Sequence, residues 1–110
     1  MELSELTRRA VAVRARFAAA ETARGGPPWS RAELAQGFVG DVGALMKLVM
    51  AKEGRREGPP DLDVKLEHEL ADCLWSVLVL ADAYGVDLEK AFATTMSELE
   101  ATLPAAPTAT

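Results

Sequence analysis

Two glycine–proline interruptions divide this chain and leave it little but helices to form. Arg24-Gly-Gly-Pro-Pro-Trp29 and Glu53-Gly-Arg-Arg-Glu-Gly-Pro-Pro60 are both built from residues that oppose helix continuation. Around them, apolar residues recur at three- and four-residue steps, the period of one face of an α-helix. The spacing predicts four helices, no strand and no internal repeat.

The first helix is expected from about Ser4 to Ala20, with Leu3, Leu6, Ala10, Val13 and Phe17 in one stripe and Arg8, Arg9, Arg14 and Arg16 off it. Ser30 opens the second. Glu33, three residues on, completes a capping box that satisfies two orphan backbone N–H groups. This helix continues to about Lys52 with the stripe Leu34, Phe38, Asp41, Leu45 and Leu48. Asp61 or Asp63 caps the third, which runs to about Tyr84 and carries Leu62, Leu66, Glu69, Cys73, Ser76 and Leu80. It is the most apolar of the four, so neighbours are expected on most of its sides. Gly85 ends it, and Asp87 caps the fourth, with Val86 placed to staple against Ala91. Leu88, Ala91, Phe92, Thr95, Met96 and Leu99 form the face expected to be buried. The expectation is therefore all-α: a four-helix bundle subunit in a single domain over 1–102, with 103–110 a disordered tail.

A chain of 110 residues buries only a thin core, so association with a second copy is expected to complete it. The net charge of −5 argues against a partner that is a nucleic-acid polymer. A single cysteine, Cys73, excludes an internal disulfide framework and fits a reducing cytoplasm. The N-terminal residues lack the apolar core of a signal peptide. The longest apolar stretch, Leu70 to Ala83, is short for a bilayer and contains Asp72 and Asp82, so no membrane is expected.

Asp41 and Glu69 occupy helix positions whose pattern calls for apolar residues, and Asp72 follows Glu69 by about one turn on the same face. Burying a bare carboxylate is costly unless it is paired or binds a metal. Three such acids make a hard-cation site suited to Mg²⁺ or Mn²⁺. The competing explanation is that Glu69 and Asp72 pair with arginines of the first helix. Lys47, Lys52, Arg55 and Arg56 either receive phosphate oxygens or form a solvated helix end. Trp75 and Trp29 either border a base pocket or pack in a core or interface. His68, one turn before Asp72, is placed to pair with it. Glu33 is assigned to its cap. The Glu-x-x-His pairs of di-iron bundles and a phosphate-binding glycine loop are both missing.

Val39-Gly40-Asp41-Val42-Gly43-Ala44-Leu45, then Glu69-Leu70-Ala71-Asp72-Cys73-Leu74-Trp75, and then Tyr84-Gly85-Val86-Asp87-Leu88-Glu89-Lys90-Ala91-Phe92 resemble the MazG-like all-α nucleoside-triphosphate pyrophosphohydrolases. The likeness covers most of the chain. It implies Mg²⁺, or Mn²⁺, held by Asp41, Glu69 and Asp72, a nucleoside triphosphate cut to monophosphate and pyrophosphate, and a homodimer or homotetramer. The family's second motif, Glu-x-x-Asp, stands intact as Glu69 and Asp72. Its first, Glu-Glu-x-x-Glu, set against Gly37, Phe38 and Asp41, keeps only the last acid in shortened form. The resemblance thus implies a pyrophosphohydrolase with a reduced site, Lys47, Lys52, Arg55, Arg56 and Trp75 serving substrate, and no group assigned to activate water. The alternative is an inactive dimeric module that binds a nucleotide or a protein partner.

Overall fold

A computed structural model describes residues 1–105. It contains α1 (Leu3–Ala23), α2 (Arg31–Lys52), α3 (Leu62–Ala83) and α4 (Leu88–Thr102), and no strand among the described residues. The all-α expectation holds. Part of the tail expected to be disordered, 106–110, lies outside the described residues.

One device ends the first three helices. Gly25, Gly54 and Gly85 all have positive φ, which a side chain would oppose. The next N–H then reaches back five residues, Gly26 to Glu21, Arg55 to Met50 and Val86 to Ala81, and so satisfies carbonyls left over by the last turn. At the start of α2 the capping box is formed: the Glu33 amide donates to Ser30 Oγ at 3.1 Å, and the Ser30 amide donates to Glu33 Oε1 at 3.0 Å. Ser30→Ala is expected to cost about 1 kcal/mol and lower the melting temperature by about 4 °C, measured by circular dichroism. Asp87 caps α4 as expected, accepting from the Lys90 amide at 3.1 Å. The expected cap of α3 does not form. Asp61 makes no side-chain cap bond, and Asp63 is drawn instead to Lys52 at 2.6 Å.

α3 is the central element, packed mainly against α2 and then α1. The core is small: Ala10 from α1, Leu34 from α2, and Leu78 and Val79 from α3, with Leu3, Leu6, Trp75, Leu80 and Leu88 packed around it. Helix three does have neighbours, but not on most sides, since Leu70 and Leu74 stay exposed. The expected buried face of α4 is overturned in the single chain. No residue of this helix is buried, and Phe92 is 61% exposed. Its apolar stripe is real, but the chain supplies nothing large to cover it. Val13 and Phe17 of the α1 stripe are likewise exposed.

The shape agrees. The radius of gyration is 17.6 Å, against about 13 Å for a compact domain of this length. By length and mean hydropathy, 1.3, α2 is apolar enough to cross a membrane. It nevertheless carries Asp41 at its middle, and packing along α3 covers little of it, since Val39, Val42 and Met46 stay exposed in the single chain.

Candidate metal centre

Asp41 comes from the middle of α2, and Glu69 and Asp72 from consecutive turns of α3. The α2–α3 packing brings one carboxylate oxygen of each within 4.8 Å of the others, at half-buried positions. Nothing of opposite charge on the chain is bonded to Asp41 or Glu69 among the described residues. Glu69 Oε2 is fully buried and has no hydrogen-bond partner. A buried oxygen of this kind is costly and calls for a partner. The arginines of α1 do not provide it, since no described ion pair joins them to Glu69 or Asp72. Asp72 instead meets His68, with Nε2 to Oδ2 at 3.1 Å, the pairing expected from their spacing. The Cys73 thiol, next to the cluster, has its pKa pushed up by burial and then by the charges of Asp41, Glu69 and Asp72.

Of the three acids, Glu69 alone lines a cavity of about 600 Å³ between α2 and α3. Gly40, Ala44, Lys47 and Leu48 line it from α2, and Asp61, Val64, Lys65, His68 and Glu69 from the start of α3. Small residues on α2 make the room: a Cβ added at Gly40 would meet nothing within 4 Å.

The expected substrate residues separate here. Lys47 lines the cavity. Lys52 does not, being paired with Asp63. Arg55 and Arg56 sit exposed in the loop after α2 and do not line the cavity either. Trp75 faces away from it. Its Nε1 donates to the Ala10 carbonyl at 3.1 Å, and its ring meets Phe17 edge-on at 5.9 Å, so this tryptophan joins α3 to α1. The periodicity missed Lys65, although its position one turn before Glu69 was a usable signal.

Gly37, where the first motif has an acid, packs against the loop before α2. A Cβ there would lie 2.9 Å from Cζ3 of Trp29, so position 37 faces an indole rather than the acids. The α2 residue one turn beyond Asp41 that borders the cavity beside Glu69 is Ala44.

The fold and cluster define an all-α protein with three carboxylates gathered between two helices. The family model of the MazG nucleotide pyrophosphohydrolase domain matches residues 32–105, and the chain belongs to this family. No curated protein and no solved structure matches it.

Proposed function

We propose that this chain is a Mg²⁺-dependent nucleotide pyrophosphohydrolase that cuts a nucleoside triphosphate to monophosphate and pyrophosphate. The observation that carries the proposal is the three-carboxylate cluster with the orphaned Glu69 oxygen, in a chain of this family. The donor set fits the metal. Mg²⁺ takes oxygen ligands and completes its shell with water and substrate phosphates, so three carboxylates are enough to hold it. Asp41, Glu69 and Asp72 are its ligands, and Mn²⁺ fits the same oxygens. When bound, the metal supplies charge neutralisation for the phosphates.

The chain's own groups do the rest. His68 holds Asp72 through their contact, fixing one ligand's orientation. Lys47 lines the cavity that Glu69 also lines, where its ammonium receives phosphate oxygens. A second reading, a binding module without turnover, is favoured by one observation: Gly37 and Phe38 stand where the family's first motif has its two leading glutamates.

A panel of nucleoside triphosphates with Mg²⁺ or Mn²⁺, scored for monophosphate and pyrophosphate, separates the two. Release that disappears in Asp72→Asn supports the enzyme. A folded protein that turns over none of them supports the module.

The protein acts as a homodimer or a pair of dimers, in the cytoplasm. The extended shape and the uncovered apolar face of α4 support association. Light scattering is expected to give a mass of two or four chains. A monomer at micromolar concentration would refute this.

A further inference from the structure

α2 and α3 each have two flanks beside the line along which they meet. On α2, Gly40, Ala44 and Lys47 stand one residue before Asp41, Leu45 and Leu48, and they line the cavity. On α3, His68 stands one residue before Glu69 and lines it too. Val42, Met46 and Val49 stand one residue after the same α2 positions, and Leu70 and Leu74 one residue after Glu69 and Cys73. A step of one residue turns a helical side chain by about 100°, so the two sets lie on opposite flanks. The preceding flanks share the cavity, and the following flanks therefore share the face behind it. All five apolar side chains on that rear face are exposed, Met46 by 57% and Leu70 by 53%.

α4 carries the matching ridge. It reaches the core through Leu88 of its first turn. Beyond that, Phe92, Met96, Leu99 and Leu103 recur at three- and four-residue steps, and all but the half-buried Met96 stand exposed. Amphipathic helices enter apolar grooves through anchors at this spacing. The exit of α4 from α3 is fixed by two local bonds, the Val86 amide to the Ala81 carbonyl and the Lys90 amide to Asp87. Turning α4 back onto its own chain means undoing that turn. Two copies related by a two-fold axis bury both ridges in both faces with the turn intact.

We infer that α4 is an exchanged arm: in the dimer, each copy lays its Phe92–Leu103 stripe on the rear face of its partner's α2–α3 pair. A stable interface takes about 800 Å² from each partner. Two such contacts between large apolar side chains that stand near half exposed supply an area of that order. The arm closes the rear of the Asp41, Glu69 and Asp72 cluster and leaves the cavity as the way in. The inference rests on the association proposed above and not on turnover. It adds which surfaces meet. A membrane is the other surface that accepts an apolar helix face, and a net charge of −5 disfavours an anionic one.

The test separates Phe92→Lys and Leu74→Glu on two full-length chains, with mass and association read by light scattering and sedimentation. Each variant is expected to weaken association about thirtyfold or more, with its helices retained by circular dichroism. An equal mixture of the two is expected to regain the wild-type mass. In the mixed dimer the introduced lysine meets the introduced glutamate at one contact, and the other contact is wild type. An arm folded on its own chain gains nothing from mixing. In wild type, the α4 amides are expected to resist hydrogen exchange at micromolar concentration and to lose that protection on dilution, in step with dissociation. This reading does not depend on any variant folding. Variants that keep the wild-type mass, a mixture that stays dissociated, or an α4 that exchanges freely in an intact dimer overturns the inference and leaves association through another face. Protection that follows added neutral or anionic vesicles, and not protein concentration, assigns the stripe to a membrane and overturns it too. A wild-type monomer at micromolar concentration overturns the arm and the association together.

Discussion

Glu69→Gln is expected to make the metal-free protein more stable and to remove its response to Mg²⁺. In the free chain, three carboxylates meet within 4.8 Å and Glu69 Oε2 is buried without a donor. Like charges at that separation repel, and the orphaned oxygen adds a desolvation cost of about 1–3 kcal/mol. Glutamine has nearly the same shape, carries no charge and can donate to Asp41 or Asp72. A gain of about 1 kcal/mol, or about 4 °C in melting temperature, should follow in EDTA. With Mg²⁺ the order reverses. A ligand that binds only the folded state stabilises it in proportion to the logarithm of its concentration over Kd. Wild type should therefore rise by several degrees at millimolar Mg²⁺ while the variant stays flat, and pyrophosphate release should fall at least about 100-fold. If Glu69→Gln lowers the metal-free melting temperature, the cluster is an internally satisfied structural feature and not an unfilled cation site.

Leu78→Ala is expected to have the largest effect on folding. Leu78 is 3% exposed and belongs to a core of four buried apolar residues. Removing a buried leucine costs about 2–5 kcal/mol through lost transfer energy and the cavity left behind. A domain of this length has about 5–15 kcal/mol in total, so a large share of its stability goes with one side chain. Urea denaturation should show a midpoint lowered by roughly a third. Leu70→Ala is the informative control, since Leu70 sits on the same helix but is 53% exposed in the single chain. If a second copy covers it, the cost should be well above a few tenths of a kcal/mol and should depend on protein concentration. An equal, concentration-independent loss at both positions would mean that the core drawn here is not the one that holds the chain.

The helices were legible because their signals are local. Pro-Pro pairs break a helix wherever they stand, and Ser30 with Glu33 caps one through atoms three residues apart. A glycine that must take positive φ, such as Gly85, marks an end by its own backbone. Each of these is decided within one turn of chain. The second acidic motif was legible for the same reason, because Glu69 and Asp72 are neighbours on one helix.

What depended on packing was not. Asp61 reads as a cap, but the backbone enters α3 at an angle that leaves its carboxylate beside Lys65 instead. Trp75 lies one turn from Asp72, yet its indole N–H is taken by a carbonyl of α1. Lys52 and Lys47 are alike in sequence, but an ion pair across the loop holds the first and the cavity receives the second. Periodicity says that α4 has an apolar face, and it cannot say whether the chain itself covers that face. Local propensity and spacing thus determined four helices, their ends and the acids that share a turn. Only the tertiary structure decided that Trp75 turns to α1, that Lys52 is taken by Asp63, and that Lys65 belongs to the groove. Such contacts join residues far apart in the chain, and their geometry is set by how α2 lies along α3.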